Sequence, residues 1–287
     1  MEFNLFYAWQ SDRLKLFNHY FIRDAAKEAL RQITKEAEVE ESPRIDYDTW
    51  NIPGTPEIAG TIFRKIEKCG LFLADITFVG TVEPQRGSTT SKRTPNPNVL
   101  VELGYAAAKI GWDRIILVMN TYYGSPDEMI FDLVHRRWPQ RYCLGPDDHD
   151  KKKNVFNCLV EMIRVQVRLA MDAVHEGTND IISKLDTNCH DWMHIQGKAD
   201  SFHLRDPVNK AQLLEFQRYY QALTRLLDLG LICTHYDIPH KTYAYHWTYQ
   251  GRLALIQLGI RQPPKSSADS TDQYTFTATV NMRPSED

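Results

Sequence analysis

The chain has 287 residues, of which 43% are hydrophobic and 25% charged, and its formal net charge is −3. This composition is typical of a globular protein with a sizeable core, and the length suffices for two domains. The small net charge excludes a global attraction to nucleic acid or anionic membranes, and no apolar run approaches the roughly 18 residues of a membrane span.

The amino terminus and the cysteines indicate the compartment. The chain begins without the basic segment, apolar core and small-residue cleavage site of a signal peptide, so we expect a cytoplasmic protein. Its five cysteines are odd in number, widely spaced and without a Cys-x-x-Cys pair. They predict buried free thiols and neither a disulfide framework nor a zinc knuckle.

The first half alternates predicted strands and helices. We predict strands at 3–9, 43–48, 70–75, 114–119 and 140–144. Helices are predicted at about 18–34, from Pro56 through Ile66, from about Asn98 onward, and near 125–135. This alternation is typical of an α/β domain, in which helices cover both faces of a parallel sheet, here of five strands.

Polar residues cluster where these strands end. Ser11 and Asp12 follow the first strand, Asp75 closes the third, and Asn98 and Glu102 lie near the start of the helix after it. Ligands of open α/β sheets bind beyond the carboxyl ends of the strands. The pattern therefore predicts a site at this edge, with Glu102 as its central carboxylate.

Two loops border the predicted site. The segment 77–97 is rich in Gly, Ser, Thr and Pro, and a loop of this length in a compact domain is typically functional, so we expect a lid or gate over the site. Pro53 and Gly54 form a turn whose movement would open or close it.

Several of these residues have two interpretations. Glu102 is a catalytic carboxylate, or it only complements the positive end of a helix dipole. Trp9 stacks on a substrate ring, or it packs against the sheet. Asp75 accepts a ribose hydroxyl, or it caps a turn. Arg44 contacts phosphate, or it pairs with Asp46.

The charged turn 146–153 divides the chain. We predict domains at 1–148 and 191–287, joined by a helical connector at 149–190 that begins with a long helix over 152–174. His190 and His194 have the i,i+4 spacing of a zinc helix, but Asp191 replaces the expected glutamate and no third ligand is evident. No metal is predicted.

The second half has the element order of a small regulatory domain. A helix over 206–229 closes at Gly230, a hairpin surrounds His235–Lys241, and a further helix follows Trp247. This order resembles a winged helix. Lys and Arg number eight against six Asp and Glu over 190–262, which supports DNA binding only weakly. The tail alternates apolar and Thr residues over 274–282 and predicts a strand.

The first half also resembles a known family. The succession FYAWQSD, IDYDTWNIPGTPEIAGTIFRKIEKCGLFLADIT and NPNVLVELGYA is similar to the TIR-like domains of bacterial antiphage defence systems, over residues 1–145. The resemblance implies a flavodoxin-like sheet and NAD glycohydrolase activity. It carries the family's positions onto Ser11-Asp12, Pro53-Gly54, Leu71–Ala74 and Glu102. The Trp-Cys pair of animal and plant TIR enzymes is replaced by Asn98-Val99.

One carboxylate is chemically sufficient for this activity. Nicotinamide leaves NAD as a neutral molecule, so cleavage needs stabilisation of an oxocarbenium-like ribose and a nucleophile, but no general acid. Ordinary glycosidases need two carboxylates because their leaving group must be protonated. Nucleoside deoxyribosyltransferases, which the sequence also resembles, would need a proton donor, for which Asp46, Asp48 and Asp75 are candidates.

We therefore expect a cytoplasmic NAD hydrolase that acts as a regulated effector in antiphage defence. NAD is its substrate, and no cofactor is expected. The carboxy-terminal domain would mediate self-association or bind a defence-system partner. Two alternatives stay open: a nucleoside or nucleotide N-glycosidase or deoxyribosyltransferase, and a non-catalytic nucleotide-binding signalling module.

Overall fold

The computed structural model describes residues 4–36, 44–46, 58–82, 92–129, 139–204, 210–237 and 241–262. The strands are β1 (Asn4–Ala8), β2 (Arg44–Asp46), β3 (Leu71–Asp75), β4 (Phe78–Val82), β5 (Lys92–Pro95), β6 (Ile115–Asn120), β7 (Gln140–Tyr142), β8 (Ser201–His203), β9 (Ile232–Asp237) and β10 (Thr242–Trp247). The helices are α1 (His19–Glu36), α2 (Ile58–Lys68), α3 (Pro97–Lys109), α4 (Lys152–Ser183), α5 (Thr187–Gln196), α6 (Lys210–Asp228) and α7 (Tyr249–Gln257).

A parallel sheet forms the centre of the first half, as the alternating pattern predicts. Its strand order is β2-β1-β3-β6-β7, and every neighbouring pair is parallel. All carboxyl ends of these strands therefore meet at one edge. The α/β fold with a parallel sheet is confirmed.

The central strands are buried on both faces because their apolar side chains alternate between two cores. In β1, Leu5 and Tyr7 belong to one core, whereas Phe6 and Ala8 belong to the other. The strands β3 and β6 alternate in the same way. Such continuous apolar runs are typical of parallel strands covered by helices on both sides.

Helices α1 and α4 cover the face that contains Leu5. The helix predicted at 18–34 corresponds to α1, and apolar residues at helical spacing along it are buried: Phe21, Ile22, Ala25, Ala26, Ala29, Leu30 and Ile33. The helix α4 extends to Ser183, beyond the predicted end at 174, and its Leu159, Ile163 and Val167 join the same core. It is thus part of the packing of the sheet and more than a connector.

Helices α2 and α3 cover the opposite face. Ile66 of α2 and Val99, Leu103 and Ala106 of α3 are buried in the second core. The ring of Tyr105 stacks on Phe63 with centroids 4.2 Å apart, and joins the two helices.

The segment 77–97 differs from the predicted loop. Residues 78–82 and 92–95 form an antiparallel hairpin, β4 and β5, separate from the main sheet. The loop prediction is wrong for these residues, because β-branched and aromatic side chains at Phe78, Val79, Thr81 and Val82 favour a strand over the turn-rich composition around them. The part over 83–91 lies outside the described residues. So do the turn 51–57, most of the predicted helix 125–135 after its first residues, and the tail strand 274–282.

The carboxy-terminal half contains a three-stranded antiparallel sheet of order β8-β10-β9. Helix α6 precedes β9 and ends at Asp228. Gly230 closes it: its φ of 68° allows the Leu231 N–H to reach the Leu226 carbonyl at 2.9 Å. The predicted helix end and the β9–β10 hairpin are confirmed. A third core surrounds Trp192, Leu226 and Trp247.

The two halves are in contact. Tyr249 and Leu253 of α7 belong to the core beneath α1 and α4. Arg252 donates from Nη2 to the Lys68 carbonyl at 3.0 Å, at the end of α2. The last described helix therefore packs against the first core.

The five cysteines differ in their exposure to solvent. All five cysteines are free; Cys69 and Cys189 are buried, but Cys143 and Cys158 are exposed, so the predicted burial holds only for some of them. Within the described ranges, no helix is both long and apolar enough to cross a membrane.

Candidate functional site

Asp75 lies at the centre of the carboxyl edge of the sheet, and it is completely buried. Its Oδ1 accepts the Thr77 N–H at 3.0 Å, and its Oδ2 accepts Nε2 of Gln10 at 3.3 Å. Burial raises the pKa of the Asp75 carboxyl, and the hydrogen bonds from its neighbours oppose this rise. In this arrangement Asp75 is not open to a ribose hydroxyl, contrary to one of its two sequence interpretations. Its hydrogen bonds hold the residues that follow β1 and β3 in place at this edge.

Asn120 extends the same buried network across the sheet. It is the last residue of β6, as Asp75 is of β3. Its Nδ2 donates to the Leu144 carbonyl at 2.9 Å and to Oδ1 of Asn18 at 3.2 Å. The Asn120 N–H donates to Oγ1 of Thr77 at 3.0 Å. These bonds fix the ends of β3, β6 and β7 relative to α1. Sequence reasoning missed Asn120, although its position directly after an apolar strand is the signal that selected Asp75.

The loop after β1 is held by Gln10, also absent from the predicted site. Its Oε1 accepts the N–H groups of Asp12 at 2.7 Å and Arg13 at 3.0 Å, while its Nε2 contacts Asp75. Asp12 is exposed, and its Oδ2 accepts Nδ2 of Asn96 at 2.7 Å. Asp12 is thereby placed beside the start of α3.

Asn96 is the N-cap of the helix that carries Glu102. Its Oδ1 accepts the N–H of Asn98 at 2.8 Å, and Pro97 occupies the first helical position. Asn98 is exposed and Glu102 is partly exposed. Glu102 is the sixth residue of the helix and lies in its second turn. The helix dipole therefore supports its charge less than the sequence suggested, because this effect fades beyond the first turn.

Trp9 stacks on a protein ring. Its ring lies 3.8 Å from that of His19, nearly parallel, and it packs against the core beneath α1. Burial, followed by the charges of Arg23 and Lys15, lowers the pKa of His19 to about 4, so the imidazole is neutral near pH 7. One face of the Trp9 ring therefore packs against the protein, as the second of its two interpretations holds.

Asp46 forms an ion pair with Lys65, whereas the sequence suggested Arg44 as its partner. Lys65 of α2 donates from Nζ to Oδ1 of Asp46 at 2.7 Å. Arg44 pairs through its backbone with Asn4 in the sheet, and its side chain lies outside the described residues, as do Pro53 and Gly54.

Two open clefts lie along this edge. One, of about 360 Å³, is lined by Ser11, Asp12, Arg13, Leu14, Lys15 and Tyr123. The Arg13 guanidinium lies over the Tyr123 ring, 4.4 Å from its centroid, and Nε donates to the Phe78 carbonyl at 2.8 Å. The other, of about 610 Å³, lies beyond the ends of β6 and β7. The structure thus brings Ser11, Asp12 and, through Asn96, the start of α3 to one place.

No metal centre is evident in the described ranges, where no cluster of three or more His, Cys, Asp and Glu side chains is arranged to hold an ion. No protein-family model and no curated protein matches the chain. The residues at the carboxyl edge therefore carry the inference of function.

Proposed function

We propose that the chain is an NAD glycohydrolase of the TIR-like class, in which Glu102 attacks or stabilises the ribose as nicotinamide leaves. The proposal rests on the position of Glu102, which is partly exposed and lies on α3. The N-cap of this helix, Asn96, is hydrogen-bonded to Asp12 in the loop after β1. The strand order β2-β1-β3-β6-β7, with the β4–β5 hairpin set apart, supports a flavodoxin-like sheet.

Cleavage of NAD requires only one ionised carboxylate, which Glu102 would supply. The nicotinamide ring is already cationic in NAD, so the bond breaks with a neutral leaving group and the ribose takes up positive charge. A single ionised carboxylate near the anomeric carbon stabilises that charge, and water completes the hydrolysis. Ser11 and Asp12 line a cleft at the same edge and are candidates for contacts with the substrate's hydroxyl groups.

The arrangement favours NAD over a nucleoside whose base must be protonated. Asp75 is buried in a closed hydrogen-bond network, and Asp46 is engaged by Lys65. Neither carboxyl is placed to act as a general acid on a bound base, and Asp48 lies outside the described residues. A deoxyribosyltransferase would require such a donor.

The carboxy-terminal part is proposed to be a winged-helix-like domain that regulates the enzyme. The sheet order β8-β10-β9 and the position of α6 before the β9–β10 hairpin support this class. Its contacts with the end of α2, through Arg252, offer a route from a bound partner or a second copy to the sheet. By the resemblance, the trigger would be infection, in a cytoplasmic defence system.

Nicotinamide release tests the proposal. The purified full-length chain is incubated with NAD at high protein concentration, in parallel with the variants Glu102→Gln and Glu161→Gln. Glu161 is exposed on α4 and pairs with Arg164, so its variant is a matched control for loss of a carboxylate. We expect release by the wild type and the control, and a loss of at least a hundredfold in Glu102→Gln, the scale of removing one key electrostatic contact.

The same samples distinguish the alternatives. Release of a base from nucleosides or nucleotides, with NAD intact, would indicate the other N-glycosidase class. Binding of NAD without release by any variant, under all conditions, would indicate a signalling module. Release that Glu102→Gln leaves unchanged would contradict the role of Glu102.

A further inference from the structure

The cleft of about 610 Å³ beyond β6 and β7 has the features of a ligand site of its own. Its volume lies within the range of about 300–1,000 Å³ usual for small-molecule sites. Its lining combines two arginines, an exposed tyrosine and two hydroxyl residues, with the full set Arg93, Thr121, Tyr122, Gly124, Ser125, Pro126, Arg141, Tyr142 and Cys143. In the part of the chain that the structure describes, no acidic side chain and no residue of α3 lines this cleft.

Tyr122 lines this cleft and packs against the backbone of Gly145. A Cβ atom on Gly145 would overlap the Tyr122 ring, so the ring lies directly on the backbone there. Half of the Tyr122 side chain is nevertheless exposed, at 50%. A ring fixed by the backbone on one side and open to solvent elsewhere is a stacking platform for a planar aromatic group.

Arg93 is held in place beside this platform. Its Nε contacts Oε2 of Glu128 at 2.7 Å, and its Nη1 donates to the Tyr123 carbonyl. A guanidinium has five N–H donors, so these two contacts orient the group and do not exhaust it. Arg141, the middle residue of β7, is exposed and brings a second guanidinium to the cleft.

We propose that this cleft binds a nucleotide as a second ligand, with the base on Tyr122 and the phosphates on Arg93 and Arg141. Planar guanidinium groups recognise phosphate through paired hydrogen bonds, and the tyrosine ring recognises any base through stacking. The Thr121 hydroxyl donates to the Tyr142 carbonyl at 3.1 Å and the Ser125 hydroxyl to Oδ2 of Asp127 at 2.9 Å, so both oxygens can still accept hydrogen bonds from the hydroxyls of the sugar. Arg93 lies in β5, which ends next to the Asn96 cap, so a bound phosphate contacts the segment that fixes α3.

Binding of ADP to the full-length Glu102→Gln protein tests this site, because the measurement requires no turnover. Calorimetry compares ADP with adenosine and with inorganic pyrophosphate, and ADP is expected to bind most tightly. Tyr122→Ser and Arg141→Gln should each weaken ADP binding about tenfold or more. Tyr236→Ser and Arg168→Gln, which alter exposed residues of β9 and α4, are the matched controls and should leave it unchanged.

Alkylation of the exposed cysteines locates the ligand. Cys143 lines the cleft, whereas Cys158 is exposed on α4. ADP is expected to slow the reaction of Cys143 severalfold, also in saturating NAD, and to leave Cys158 unchanged. The proposal is overturned if ADP does not bind, or if it binds equally to Tyr122→Ser and Arg141→Gln without protecting Cys143. Protection of Cys143 by NAD in place of ADP would also overturn it, since the cleft would then belong to the substrate site.

Discussion

Asn96 bonds in two directions: its Oδ1 caps helix α3, and its Nδ2 donates to Oδ2 of Asp12 at 2.7 Å. One side chain thus fixes both the start of the helix that carries Glu102 and the loop that follows β1. The distance between Glu102 and the residues of that loop depends on this contact.

Replacing Asn96 by Ala should therefore affect stability and activity together. Loss of an N-cap costs about 1 kcal/mol of unfolding free energy. Asp186→Ala is the matched control, because Asp186 caps α5 through the Cys189 N–H at 2.8 Å, in the other half of the chain. Denaturant unfolding should show similar losses for both variants, but only Asn96→Ala should slow nicotinamide release. Equal rates in the two variants would contradict a positioning role for Asn96.

The buried carboxyl of Asp75 should leave a signature in the pH dependence of stability. Burial raises its pKa in the folded state, so the folded protein holds this proton more tightly than the unfolded chain does. The contribution to stability is complete below the ordinary pKa and is lost as the pH rises through the folded value. Relative to Asp75→Asn, the wild type should gain stability when the pH is lowered from 7 to 4. Denaturant unfolding of both proteins at several pH values measures this; a difference independent of pH would show that the carboxyl is not protonated on folding.

The contribution of His246 to stability should change with pH in the direction opposite to that of Asp75. Burial, then the charges of Lys68, His235, His203 and Arg64, lowers its pKa to about 4, and its ring stacks on His235 with centroids 4.3 Å apart. Its stabilising contribution is present above the ordinary value near 6.5 and is lost as the pH falls towards 4.

The variant His246→Phe keeps a ring on His235 but cannot be protonated. Between pH 6.5 and 4 we expect the wild type to lose about 1 kcal/mol more stability than this variant, after allowance for the partial exposure of His246. His19 titrates in both proteins, so its effect cancels in the comparison. Thermal unfolding across this range tests the prediction, and parallel curves for the two proteins would refute it.

Two glycines in helices should respond oppositely to alanine. A Cβ on Gly251 of α7 would overlap the Leu231 carbonyl, so Gly251→Ala should destabilise the carboxy-terminal core by about 1–3 kcal/mol. A Cβ on Gly104 of α3 would meet nothing within 4 Å, so Gly104→Ala should stabilise the protein by about 0.5–1 kcal/mol. Denaturant midpoints of the two variants on either side of the wild type would agree with this; a destabilised Gly104→Ala would not.

The periodicity of apolar residues predicts most of the regular elements, because burial on one face or two sets the spacing directly. The inward side of α1 and the alternation within β1 follow this rule. The hairpin at 78–82 and 92–95 does not, since its few strand-forming residues lie within a segment whose overall composition, rich in glycine, serine and proline, predicts a loop. At the site, Ser11, Asp12 and the start of α3 could be brought together from the order of strands alone. The position of Asn120 at the end of an apolar run gives the same signal as that of Asp75. Gln10 gives no such signal, because its role depends on a hydrogen bond between segments far apart in the chain.

The position of Leu253 in the core beneath α1 bears on how the protein folds during its synthesis. Leu253 and Tyr142 belong to the same core, although about 110 residues separate them in the chain. At roughly 5–20 residues per second, the ribosome needs on the order of ten seconds to cover this interval. The strand β7, the last of the parallel sheet, therefore leaves the ribosome well before the core around it is complete. Until α7 follows, the part of α4 that α7 covers in the folded protein is exposed, and chaperones that bind nascent chains have an accessible surface there.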